Sequence, residues 1–455
     1  MASPNLARQE QSPVPAPVVI NSRVTLLDSV LFYGTFSLLM FAPLAFGSVD
    51  PWSIFVLQAG AATLLLLWTI RQAKSGSLTI AANPLFRPVL LFGLLILVQI
   101  SLGVTAYRYQ TVANCLLYAA YACLFFLAIQ HLQRTIQVKI LAWLFCVYGT
   151  AVAMFAVFQS LSSSGKIYWL WEPPSGGWIY GPYVNHNHYA GLMEMLFPIA
   201  LVMALTRHIP RRWRPIPLLG ATLMAASIFL CGSRGGMIAC LVQAIVLGVF
   251  LGLRKNRQTA LMAGFTLVVI AALMSWIGGE VAMKRLISIH SEAKTEIAGG
   301  IRLSIDRDSL IMFTKKPVLG WGLGTFPIVF PQFRSFYSDK SVNHAHNDYL
   351  QLVVETGILG FLTMLWFLTL TIRGALKKLG DWSWDFNAAV ALATLLSCTG
   401  LLVHGLFDSN LQIPANAAWF YVLCGIAAGD TKFGAHRRIR HRHKILSSPE
   451  PVLSS

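Results

Sequence analysis

Charge is what this chain has least of. Asp, Glu, Lys and Arg make up 12% of its 455 residues, and only 18 residues are acidic. Soluble domains carry about twice that charged share. With 56% apolar residues and a mean hydropathy of +0.62, the scarcity excludes an ordinary soluble enzyme and predicts a polytopic membrane protein. Cysteine is sparse as well. All seven (115, 123, 146, 231, 240, 398 and 424) fall within or beside apolar runs, which excludes a disulfide framework and leaves them as small packing residues. No repeat, heptad or signal-peptide cleavage pattern is present, so the first apolar run reads as a span.

Spans of about 20 apolar residues number about twelve: 26–46, 52–70, 88–106, 113–131, 138–160, 187–206, 216–232, 236–253, 259–277, 347–372, 386–407 and 414–430. The expected fold is an all-α polytopic membrane protein with one large extracytoplasmic loop, 278–346, carrying short helices. Residues 1–24 and 431–455 are expected to be cytoplasmic tails, disordered and, for the second, basic, flanking a membrane domain over 25–430. The net charge of +17 points to nucleic acid only until its placement is considered. Of the 35 Lys and Arg, 23 fall on the side of both termini, three in short loops of the other side, and nine in 278–346. Lys and Arg mark cytoplasmic loops, and long loops are translocated whatever their charge. Both ends are therefore expected inside, with no nucleic-acid partner.

With that orientation, every chemically interesting polar cluster falls on the outer face: "VNHNHYAG" (184–191), "CGSRGG" (231–236), residues 299–326, "NHAHNDYLQ" (343–351) and "VHGLFDSNLQIP" (403–414). Plainer readings exist for each. Arg234 in a glycine-rich turn can anchor at headgroups. Asn185 and Asn343 can cap helices, and Asn343 is the expected cap of the tenth span. Lys315-Lys316-Pro317 can be a helix stop. The His-x-His pairs, with Glu172, Asp348 and Asp408 near in topology, hint at a metal. On a helix, however, residues two apart point about 200° away from each other, and no third clustered ligand accompanies them. Asp306-Arg307-Asp308 is formally a DxD cation motif, better explained as an exposed helix of alternating charge. His404, an ionisable group inside a span, points to a polar cavity. No metal and no cofactor is expected.

What remains is arginine beside histidine at a membrane surface. Guanidinium binds phosphate oxygens bidentately, and imidazole accepts a proton near neutral pH. The pair suits a substrate that carries phosphate at the bilayer and a hydroxyl to be activated.

At these residues, from about 180 to 425, the sequence resembles the O-antigen ligase and polymerase superfamily of bacterial membrane glycosyltransferases. The matching pieces are "GPYVNHNHYAG", "CGSRGG", Arg302 followed by "PVLGWGLGTF", "HAHNDYLQLVVETGILG" and "HGLFDSNLQIP". In one departure, Asp306 stands where the family usually has Trp. The resemblance implies inverting, metal-independent transfer of a glycan from an undecaprenyl-diphosphate-linked donor to a hydroxyl, on the periplasmic face of the bacterial inner membrane. It implies that Arg234 and Arg302 hold the diphosphate and that His346 is the base or orienter of the acceptor hydroxyl. His344 is the second catalytic candidate, the alternative base or else a residue that orients the loop or packs against it. Asn187, Asn347 and His404 are further candidates for substrate contact. Lipid A core, a growing polysaccharide and a protein all remain open as acceptors, the last as a protein O-oligosaccharyltransferase. A small-anion (bicarbonate-like) transporter is the alternative from another class, although the inverted repeats and broken paired helices of transporters are not seen.

Overall fold

A computed structural model of the chain describes residues 25–76, 78–163, 165–173, 178–253, 264, 301–337, 341–379 and 385–429. Among them the chain is helical throughout: α1 (Leu26–Leu44), α2 (Pro51–Ser75), α3 (Phe86–Ser101), α4 (Arg108–His131), α5 (Thr135–Ser162), α6 (His186–Leu205), α7 (Pro215–Leu230), α8 (Arg234–Leu253), α9 (Ile301–Lys315), α10 (Phe326–Val329), α11 (Asp348–Lys378), α12 (Phe386–His404) and α13 (Pro414–Ala428). Two isolated bridges, Ile167 with Trp171 and Tyr180 with Tyr183, are the extent of extended pairing there. Among the described residues nine helices are long and apolar enough to cross a membrane, and α3 and α13 are shorter apolar helices. Eleven of the expected spans thus coincide with helices. The twelfth, 259–277, lies outside the described residues except for 264, as do 278–300 of the large loop and both tails.

Local chemistry sets the helix ends. Thr25 and Asp28 form a capping box at α1, Pro51 and Pro414 occupy first-turn positions, and Gly76 ends α2 in the left-handed region. Large apolar side chains such as Leu66, Leu90 and Leu94 are more than half exposed, which suits lipid and not water. The centre is α6, buried along nearly its whole length, whereas α2 is mostly exposed. It packs on α7 and α12. Close approach relies on small residues: a Cβ on Gly149 would lie 2.4 Å from the Met224 sulfur, and one on Gly220 2.4 Å from the Thr150 hydroxyl.

One span is broken where its sequence looks continuous. Gly357 in α11 takes φ 65°, ψ −172°, a region open essentially to glycine alone. The break admits the segment after α9: Ile358 N donates to Pro317 O at 2.8 Å, and Gly322 N to Glu355 O at 2.9 Å. A Cβ on Gly357 would fall 2.2 Å from Val318 O.

Candidate functional site

The start of α6, the start of α8, the start of α11 and the end of α12 meet at one end of the bundle. The α12–α13 turn ties them together. From α6, Asn187 Nδ2 donates to Asp408 Oδ2 at 2.5 Å, and Asn416 Nδ2 donates to His188 O at 2.9 Å. From α11, Asp348 N donates to Gly405 O at 2.8 Å, and Leu411 N returns a bond to Asp348 Oδ2 at 3.0 Å.

These bonds fix the segment before α11. Asn347 is the helix cap, its Oδ1 accepting from Tyr349 N and Leu350 N at 3.1 Å each, while Ala345 N donates to Gln351 Oε1 at 3.1 Å. Between these anchors His346 is held at φ 52°, the left-handed region that side chains seldom adopt. Such strain persists only where neighbours over-determine it. His346 Nδ1 lies 3.0 Å from Asp408 Oδ1; the imidazole side chain is 37% exposed and the carboxyl 2%. A carboxylate on Nδ1 selects the tautomer with a proton there and leaves Nε2 as an acceptor. Burial pushes the Asp408 carboxyl up, but the His346 hydrogen bond and the imidazoles of His188, His346 and His404 outweigh it, holding the carboxyl well below the usual range. Ser409 N adds a third donor at 2.8 Å.

Arginine reaches the same turn. Arg302 Nη1, in the first turn of α9, donates to Phe407 O at 3.3 Å. One helical turn on, Asp306 is half-buried: desolvation raises its carboxyl, opposed by Arg302 and His346. Asp306 thus faces the site. Arg234 opens α8 behind Ser233, whose Oγ accepts from Gly236 N at 3.2 Å. The next residue, Gly235, packs on His404, where a Cβ would sit 2.5 Å from the ring.

Two carboxyls within spans hold the framework. Glu355 of α11 accepts from Gly324 N at 2.7 Å and Phe326 N at 3.2 Å, and from Gln351 Nε2 at 3.1 Å. It clamps the "GWGLGTF" loop, whose Gly320, Gly322 and Gly324 all have positive φ. His344 Nδ1 lies 3.4 Å from Gln351 Nε2, and burial, reinforced by His346, pushes its imidazole down to about 4. Glu194 of α6 pairs with His404 Nδ1 at 2.7 Å, both essentially inaccessible.

The structure therefore brings Asn187, Arg302, His346 and the turn at Asp408 together, with His344 one step away through Gln351. Arg234 adjoins His404 through Gly235. Three expectations change. Asn343 does not cap the tenth span, because Asn347 does. Both histidines precede the helix, so the 200° divergence of helical neighbours does not separate them; their different partners do. His404 faces no open cavity: it is 1% exposed and enclosed against Glu194 and Gly235. Lys315 does end α9, with Lys316 Nζ donating to Val104 O at 2.8 Å. Sequence reading left out Glu194, Gln351 and Glu355, and weighed Asp408 only as a metal ligand. Their signal was a carboxyl or amide within or at the end of an apolar run. Among the described residues, no group of three or more His, Cys, Asp or Glu is arranged to hold a metal ion.

Compared with known protein families, residues 219–365 match the family described as O-antigen ligase. Arg234, Arg302, His344, His346, Asn347 and Glu355 lie inside that stretch, whereas Asn187, His404 and Asp408 lie outside it. No curated protein matches the chain.

Proposed function

We propose that this multi-pass membrane protein, whose residues 219–365 match the O-antigen ligase family, transfers a glycan from an undecaprenyl-diphosphate-linked donor to a hydroxyl acceptor. The observation that carries the reading is the convergence of Arg302 with the His346–Asp408 pair at one end of the bundle. In the reaction the acceptor oxygen attacks the anomeric carbon and inverts it. The bond from that carbon to the diphosphate breaks, and the hydroxyl proton passes to His346 Nε2. The diphosphate leaves with the bonding electrons, its charge met by Arg302 and Arg234 through guanidinium forks. Asp408 holds the ring and stabilises the imidazolium as it forms, the logic of an oriented base. The phosphate ester is already a good leaving group, so positioning and charge stabilisation are the protein's main contribution.

On this reading His344 acts indirectly, through Gln351 and Glu355, on the loop that lies beside the site. Asn187 and Asn347 set the Asp408 turn and the α11 start, and His404 supports the Arg234 turn from behind. The reacting end faces the periplasm and both chain ends face the cytoplasm, as the Lys and Arg distribution supports. Labelling of Ser291→Cys exclusively from the cytoplasmic side would reverse that orientation.

The test is transfer by purified protein in liposomes containing a polyprenyl-diphosphate glycan and a hydroxyl acceptor, with excess chelator. Glycosylated acceptor and free polyprenyl diphosphate are expected in equal amounts. Activity that disappears with chelator and returns with a divalent cation would overturn the metal-independent mechanism.

A further inference from the structure

A groove opens at the end of the bundle opposite the histidines. Since α6 starts at the histidine end and crosses the bundle once, its last turn and the loop that follows lie at the far end. There the start of α5, the end of α6, the start of α7 and the start of α12 enclose about 620 Å³. The walls are apolar, with Trp143, Ile199, Met203 and Leu423 among them. The rim is basic. Lys139 lines the groove, its Nζ 5.6 Å from the Phe386 ring centre. The loop forming one wall carries Arg207, Arg211, Arg212 and Arg214, and Arg212 rests 5.8 Å from the Trp213 ring. Arg214 turns back to Ile209 O. Asp385, at the start of α12, is engaged in capping that helix.

We propose that this groove is a binding site for an acidic glycerophospholipid of the bilayer. An acyl chain lies along the apolar walls, and the phosphate sits among Lys139, Arg211 and Arg212. The pairing follows from chemistry alone. The acyl chain, already out of water, gains by packing against the groove's side chains, and each cation near an anionic headgroup adds to it. Trp213, at the rim, is the residue type that settles at headgroup level. A zwitterionic lipid would supply the same chain without the matching charge. The site is remote from the transfer chemistry, and its test does not depend on that reading.

Delipidated full-length protein in a neutral detergent is titrated with phosphatidylglycerol or phosphatidylcholine of the same chains, and bound lipid is counted by native mass spectrometry. One phosphatidylglycerol is expected to bind at least about tenfold more tightly than phosphatidylcholine. The triple variant Lys139→Gln, Arg211→Gln, Arg212→Gln should lose that preference while keeping wild-type helicity. Ala142→Trp, which fills the groove, should remove tight binding of both lipids. Equal binding of the two lipids by the wild type would mean ordinary annular lipid and overturn the proposal. So would a preference that survives the triple variant, or tight binding that survives Ala142→Trp.

Discussion

Replacing Asp408 by Asn should slow transfer without unfolding the protein. Asp408 receives donors only: His346 Nδ1 at 3.0 Å and Ser409 N at 2.8 Å on one oxygen, and Asn187 Nδ2 at 2.5 Å on the other. An asparagine can keep its oxygen toward His346 and Ser409 and turn its NH2 toward Asn187. The Asn187 amide then flips to present its own oxygen. Geometry survives and the negative charge does not. A hydrogen bond to a charged group is worth about 1.5–3 kcal/mol, against about 1 for a neutral pair, so the imidazolium formed in the reaction loses roughly 1–2 kcal/mol of support. That is a rate lower by about 5- to 30-fold. Asp408→Ala leaves all three donors without their acceptor and should lose stability as well. The assay is single-turnover transfer of labelled glycan beside thermal unfolding in the same detergent. An Asn variant with the wild-type rate would refute the claim that Asp408 works through His346.

Arg302→Ala and Arg234→Ala should each lose about 10- to 10²-fold in transfer, corresponding to about 1.5–3 kcal/mol for a charge-assisted contact; Lys should rescue poorly for want of the fork, and full activity in either Ala variant at normal expression would remove that residue from diphosphate binding. Glu355→Gln places an amide donor against Gly324 N or Phe326 N. It should cost about 1–3 kcal/mol and expose residues 317–326 to proteolysis, and an unchanged unfolding midpoint would argue against the clamp. His344 titrates near 4 when folded, against an ordinary 6.5. Between those values the unfolded chain binds more protons, so stability should fall as pH drops from about 6.5 to 4 and stay flat above that range. His344→Gln should flatten the low-pH slope in thermal unfolding; an identical slope would place the titration elsewhere.

The helices were legible because hydropathy is a local property: each apolar run of sufficient length had to pair its backbone internally. The arginines and the His-x-His pair were legible as residue types at a membrane face. What sequence could not supply was pairing across the chain. Asp408 serves a histidine 62 residues away, and Glu194 a histidine 210 residues away. Two asparagines four residues apart, Asn343 and Asn347, both qualify as caps by type. The bond from Asp348 N to Gly405 O places the start of α11 against the Asp408 turn and gives the role to Asn347. The break at Gly357 was hidden for the same reason, since it exists to admit the backbone of residues 317–319.

The central claim is that His346 takes the acceptor proton, and the direct measurement is transfer and donor binding in His346→Ala beside His344→Ala. General-base groups contribute on the order of 10²–10⁴ in rate. His346→Ala should lose that much while binding the polyprenyl-diphosphate donor with near wild-type affinity, and His344→Ala should retain most of its rate. A His346→Ala protein that transfers at the wild-type rate, or a His344→Ala protein that is the inactive one, would contradict the assignment.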